Sequence, residues 1–159
     1  MLSDTLLNLN LLTDCVSHIQ VIEFSPFNSI VMTNLELLKQ GYANFTSGNI
    51  EAVMATWDPQ LEWHESTGMP FVEGDGIYVG PEAILTNVIM KLPVFFDGFS
   101  IEVNEVFEAG DKVVMQGYYT GTNKATGKPF KANAIHIWTV KDGKGIRCFQ
   151  AADTGAILS

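Results

Sequence analysis

Residues Ala134 to Asp153 read AIHIWTVKDGKGIRCFQAAD. Two apolar runs flank Lys-Asp-Gly-Lys, and Asp-Gly between alternating apolar residues signals a two-residue hairpin turn. With Asp142 and Gly143 in the turn, Lys141 faces Lys144. The ladder then sets Trp138 opposite Arg147, His136 opposite Phe149, Ala134 opposite Ala151 and Ala132 opposite Asp153. Opposite residues share a face. One face therefore carries His136, Trp138, Arg147, Phe149 and Asp153 with three alanines between them, and the other carries Ile135, Ile137, Val140, Ile146 and Cys148. The second set reads as core against helices. The first combines polar tips, aromatic walls and small residues that leave room, which is the composition of a ligand pocket. Within it Asp153 reads either as a solvated strand end or as a group aimed into a cavity. Arg147 reads as a pocket group or as an edge residue, and His136 as a structural or a working histidine. His136 and Asp153 lie about four residues apart along the ladder, ~13 Å at the usual rise, so they address opposite ends of one cavity.

Upstream of this hairpin, whose strands read at about 130–140 and 145–153, further strands read at about 99–108 and 112–121. Before them the pattern is helical. Thr33 and Glu36 have capping-box spacing, and Leu35, Leu38, Tyr42 and Phe45 recur at helical intervals up to Ser47-Gly48. Asn49 caps a second short helix that Asp58-Pro59 stops. The run L-E-W-H-E alternates as a short strand with Leu61, Trp63 and Glu65 on one face and His64 on the other. Gly80-Pro81 opens a third helix with Ile84, Leu85, Val88, Ile89 and Leu92 as its buried stripe. Helices in front and a long antiparallel meander behind define an α+β fold, a curved antiparallel sheet wrapped around three helices.

The chain has 159 residues, of which 47% are apolar and 17% charged, a balance that predicts a folded domain. Nine basic residues against eighteen acidic ones give a net charge of −9, which argues against nucleic acid and anionic membrane surfaces as partners. No apolar run reaches the ~18 residues of a membrane span. Cys15 and Cys148 are far apart with no ligand spacing, and His18, His64 and His136 make no zinc motif. Thiols of this kind fit a reducing cytoplasm. No Lys or Arg precedes Lys39, so the start lacks the basic segment of a secretory signal. Met32 reads as a native start of a domain spanning 32–159. Residues 1–31 read as an add-on or loosely docked extension, with leucines able to form a short amphipathic helix.

The segment Y-A-N-F-T-S-G-N-I-E-A-V-M-A-T-W-D-P resembles the opening of the NTF2-like superfamily. G-I-Y-V-G-P-E-A-I resembles its loop before the third helix. A-I-H-I-W-T-V-K-D-G-K and F-Q-A-A-D-T resemble the closing strands of its SnoaL-like, ketosteroid-isomerase-related branch. The resemblance covers about residues 33–155. It implies a cone-shaped α+β barrel, commonly a homodimer, with a pocket for a small hydrophobic molecule inside the cone and neither metal nor organic cofactor. SnoaL-like polyketide cyclases use an acid at the end of the last strand, where Asp153 stands. Ketosteroid isomerases use an acid near the end of the first strand as base, where Glu65 falls. They also use an acid in an Asn-Ala-Ile-acid stretch as oxyanion donor, and His136 takes that position. Their helix tyrosine has no clean counterpart, Tyr42 being about one residue out of step.

Together these readings give a catalytic set of Glu65 or Asp153 as base and His136 as hydrogen-bond donor to a carbonyl oxygen. Trp63, Trp138, Phe149 and Arg147 would contact the substrate, and no residue is assigned to metal. The alternative is a non-catalytic ligand-binding or dimerisation module of the same fold.

Overall fold

The computed structural model describes residues 32–159; the reading of residues 1–31 as an extension lies outside the described residues, as do Cys15 and His18. The first helix, α1 (Asn34–Thr46), opens with a complete capping box. Glu36 N–H donates to the Thr33 hydroxyl, and the Glu36 carboxylate accepts from Thr33 N–H at 2.9 Å. Two orphan donors of the first turn are satisfied in this way. Leu38 and Tyr42 are its buried residues. Asn49 caps α2 (Ile50–Met54) through Ala52 N–H. Next come β1 (Trp57–His64), a short edge strand β2 (Ile77–Val79) and α3 (Pro81–Asn87). The apolar stripe expected as one helix is instead divided into α3, a 3-10 turn at Ile89–Lys91 and α4 (Leu92–Phe95). Pro93, which has no N–H to donate backward, sits in the first turn of α4, where that loss is harmless. The stripe stays continuous across the break, with Ile84, Val88 and Leu92 all buried.

Four long strands follow: β3 (Phe96–Ala109), β4 (Lys112–Asn123), β5 (Lys128–Lys141) and β6 (Lys144–Ala152). A last short helix, α5 (Thr154–Leu158), ends the chain. The sheet order is β2-β1-β6-β5-β4-β3. This is the expected α+β architecture. The sheet is mixed rather than wholly antiparallel, because β1 runs parallel to β6. That pairing seats the end of β1 against the middle of β6, with His64 beside Phe149 and Trp63 beside Cys148.

The closing hairpin turns as expected. Asp142 and Gly143 both have positive φ (51° and 70°), the geometry of a type I′ turn, and Lys141 pairs with Lys144. The pairing beyond it differs by one residue. Val140 faces Gly145, but Thr139 faces Arg147, so Ile146 is the extra residue of a β-bulge. From there His136 pairs with Gln150, Trp138 with Cys148 and Ala134 with Ala152. The one-residue step inverts the face of every β6 side chain beyond Ile146 relative to the expected ladder. Cys148 and Gln150 turn inward with His136 and Trp138, and Arg147 and Phe149 turn outward with Ile135. The division into a core face and a pocket face is corrected too: core and pocket share the concave face, and Ile135 (42% exposed) lies on the convex one.

Gly145 shows why the bulge sits there. A Cβ on Gly145 would come within 2.9 Å of the Trp138 ring, so the missing side chain makes room for the indole. Asp153 also departs from the pocket expectation. Its Oδ1 accepts from Ala156 N–H at 3.0 Å, and its own N–H donates to Asn133 O, so it caps α5 at the sheet margin. Asp153→Ala should lower stability by about 1 kcal/mol, the usual cost of a lost N-cap, and leave ligand binding in the cavity unchanged. Thermal denaturation and a binding titration on the same variant check both halves.

Candidate functional site

Between α1, the Val88–Leu92 segment after α3 and the concave face of the sheet lies a cavity that, with the open solvent at its mouth included, spans about 740 Å³. Its wall is mostly apolar: Leu38 and Phe45 from α1, Val53 from α2, Val88 and Leu92 near α3, Phe99 and Ile101 from β3. Polar groups gather at one end: Glu65 past the end of β1, Tyr42 on α1, Tyr119 on β4, His136 on β5 and Gln150 on β6. Strand alternation explains the convergence. Leu61, Trp63 and Glu65 point inward from one strand, Met115 and Tyr119 from another, Ala134, His136 and Trp138 from a third. Ala132 and Ala134 keep the floor low.

These groups form one hydrogen-bonded row. Trp138 Nε1–H donates to the Tyr42 hydroxyl at 3.0 Å. The Tyr42 oxygen is 2.9 Å from His136 Nδ1, and the Tyr119 oxygen is 2.5 Å from His136 Nε2. One end of the Gln150 amide lies 2.9 Å from the Tyr119 hydroxyl and 3.0 Å from both Glu65 oxygens. At the far end Trp63 Nε1–H donates to Glu65 Oε2 at 3.1 Å, and Ser66 N–H donates to Oε1 at 3.0 Å. Among the described residues no buried side-chain polar atom lacks a partner.

Burial sets the charges. It pushes the Glu65 carboxyl up to about 7, against the opposing pull of the Trp63 and Ser66 N–H groups. It pushes His136 down to about 3, so the imidazole is neutral at ordinary pH. Both phenols are raised well above their usual value and stay protonated. Glu65 therefore exchanges its proton near neutrality inside an apolar chamber, as a general base does.

The same two shifts predict a pH signature. The folded state holds a proton on Glu65 that the unfolded chain releases above 4.5, so this group's contribution to stability is present below 4.5 and lost as pH rises to about 7. The unfolded chain takes a proton on its histidine below 6.5 that folded His136 refuses. That contribution is present above 6.5 and lost as pH falls toward 3. Between 4.5 and 6.5 the slopes oppose and cancel. Removing Glu65 leaves only the histidine slope, so melting temperature in Glu65→Gln should climb relative to wild type from pH 4.5 to 6.5. A pair of parallel melting curves across that range reads the difference directly.

Of the residues singled out from sequence, the fold brings Glu65, His136, Trp63 and Trp138 together. Trp63 and Trp138 pack edge to face at 5.7 Å. Phe149 (45% exposed) and Arg147 are on the other side of the sheet. There Arg147 Nε lies 3.2 Å from Glu62 Oε1, which also meets His64 Nε2 at 2.5 Å. A second, outer cleft runs along the end of β6, lined by Ser66, Asp75, Phe149 and Thr154, and Glu65 and Gln150 border it as well. Tyr42, Tyr119 and Gln150 are the cavity groups that sequence reasoning passed over. Tyr42 reads as an apolar helix position about one residue out of step with the isomerase tyrosine, and Tyr119 is visible only through its parity with Val113 and Met115. Gln150 is hidden by the bulge.

A family model for the SnoaL-like domain matches residues 38–147. The chain belongs to the SnoaL-like family. This SnoaL-like chain is 31% identical to an NTF2-like protein of known structure from Burkholderia thailandensis E264, with a TM-score of 0.73 over 78% of this chain and 93% of that one. TerC, crystallised with polyporic acid, is 28% identical, with a TM-score of 0.69 over 79% and 95% of the two chains. A SnoaL-like polyketide cyclase candidate from Shewanella denitrificans OS-217 shares the fold at 14% identity, TM-score 0.62, over 77% and 92%. No curated protein matches the chain in sequence. The NTF2-like membership expected from sequence holds. No helix of the described residues is long and apolar enough to cross a membrane, and among them no cluster of His, Cys, Asp or Glu could hold a metal ion.

Proposed function

We propose that this SnoaL-like domain binds a small hydrophobic cyclic molecule and acts on it by acid/base chemistry, without a cofactor, in an isomerisation, cyclisation or hydrolysis. The observation that carries the reading is Glu65, a carboxyl buried in an apolar chamber whose proton exchanges near pH 7. In this scheme the Glu65 carboxylate takes a proton from a carbon beside a carbonyl, and the electron pair moves onto the carbonyl oxygen. A tyrosine hydroxyl stabilises that oxygen. His136 serves as the bridge between the two phenols rather than as a direct donor, because both of its nitrogens are already engaged. Trp63 and Trp138 supply flat apolar walls. Asp153, Arg147 and Phe149 have no part in this scheme, since none lines the chamber.

A thermal-shift screen tests the binding half. Polyporic acid joins the panel because TerC was co-crystallised with it, alongside cyclic ketones, enones and phenols. A ligand at 100 times its dissociation constant adds ~2.7 kcal/mol. A hit that weakens on substitution of Trp63 or Trp138 supports the pocket, and a panel with no hit argues against it.

A second reading, a dimeric module, draws on the convex face. Phe107, Ile135 and Phe149 are each about two-fifths exposed there, and exposed apolar clusters mark association surfaces. A homodimer through this face is compatible with the enzyme reading. Ile135→Glu should convert a dimer to a monomer in sedimentation. A wild type already monomeric at micromolar concentration would remove the dimer. The net charge of −9 keeps nucleic acid off the partner list. A cytoplasmic location fits the buried free thiol of Cys148.

A further inference from the structure

The row from Trp138 to Glu65 can be satisfied in two directions. Trp138 Nε1–H always donates to Tyr42. Every other member either donates or accepts depending on its neighbour. Suppose Glu65 is protonated. Its O–H donates to the Gln150 amide oxygen, which also accepts from the Tyr119 hydroxyl at 2.9 Å. Tyr119 then accepts from His136 Nε2–H, and Tyr42 donates its proton to Nδ1. Suppose instead Glu65 is ionised. An amide oxygen facing a carboxylate is repulsive, so the amide turns over. Its NH2 then donates to both Glu65 oxygens and to Tyr119. Tyr119, accepting from the amide, donates its own proton to Nε2, and His136 carries its proton on Nδ1 and donates to Tyr42. Tyr42 then accepts from both Trp138 and His136, and its own proton is left pointing into the cavity.

We infer that Gln150 is a two-position amide that couples the protonation of Glu65 to the direction of the Tyr42–His136–Tyr119 row, so that Tyr42 offers its O–H to a ligand only when Glu65 is ionised. Gln150 and His136 are positioning residues in this scheme. The base and the donor become ready together, 31 residues separating Tyr119 from Gln150 in the chain but one hydrogen bond in space. The ligand favoured in that state carries an acceptor oxygen, such as a carbonyl. This ligand class rests on the function proposed above, whereas the switch itself belongs to the ligand-free protein.

Of the buried groups in this row, Glu65 is the one that burial brings to about 7. Tyr119 on β4, Cys148 on β6 and Tyr42 on α1 are held protonated by burial. Tyr78 on β2 is raised as well, with Glu73 and Asp75 beside it. His136 on β5 is held neutral. His64, next along β1, points to the other face and meets Glu62.

Nitrogen-15 NMR of the imidazole distinguishes the two neutral tautomers. The His136 signals are those that survive in a His18→Gln/His64→Gln double variant. At pH 5.5 the expected form is Nε2–H, at pH 8.5 Nδ1–H, with no imidazolium at either. Glu65→Gln should stay Nε2–H at both, because its amide NH2 donates to the Gln150 oxygen as the protonated acid does. A single tautomer across the range in the wild type overturns the inference, and so does a switch that persists in Glu65→Gln. Failure to find a substrate would count against the proposed function and leave this result standing.

Discussion

Glu65→Gln is expected to abolish proton abstraction while leaving the domain folded. A cyclic ketone held in the chamber in D2O should exchange the hydrogens beside its carbonyl for deuterium, because the Glu65 carboxylate removes one and returns another from solvent. Loss of a positioned general base costs ~10²-fold or more, so exchange in the variant should fall by at least that factor. The amide is isosteric with the acid, and its single oxygen keeps one of the two N–H partners, Trp63 or Ser66, so the native fold should survive the loss of the other, which costs ~1 kcal/mol or somewhat more. The wild-type rate should rise with pH through about 7, as burial delays ionisation of this acid. Exchange in the variant equal to wild type would remove Glu65 from the mechanism.

Gly117→Ala is expected to be the most damaging single-methyl change in the sheet. A Cβ there would stand 2.0 Å from the Glu102 carbonyl oxygen. That oxygen belongs to the backbone of β3, just before the register shift between Val103 and Glu105, so no side-chain rotation relieves the clash. Either the two strands part or the bulge moves. Overpacking of this kind costs ~1–3 kcal/mol and occasionally more, or roughly 2–4 °C in melting temperature per kcal/mol at this chain length. Gly41→Ala is the internal control: it lies on α1, and nothing stands within 4 Å of the added Cβ. Equal melting temperatures for the two variants would refute the close approach.

The contrast between these glycines shows what sequence carries and what it withholds. Local signals were legible. Thr33 and Glu36 announce the capping box, Asp142-Gly143 the type I′ turn, and Pro81 the start of α3, because each depends on a few adjacent residues. Glu65 was legible as well, since strict alternation from Leu61 through Trp63 fixes its face. The β6 assignments failed at Ile146 for a physical reason. A bulge changes the parity of a strand, and here it sits beside the close approach of the Trp138 ring to Gly145, a contact between strands. The parallel pairing of β1 with β6 was equally hidden, because it joins segments 83 residues apart, as Arg147 and His64 show. Gln150 becomes a site residue only once both facts are known, whereas Tyr119 follows from its parity with Val113 and Met115.

Glu65 and Gln150 belong to two walls at once, that of the apolar chamber and that of the outer cleft. The partition between grease and water is therefore one side chain thick at this point. Under the proposed chemistry, a proton taken from a molecule in the chamber would leave through the outer cleft, so reactant and proton would travel by separate paths.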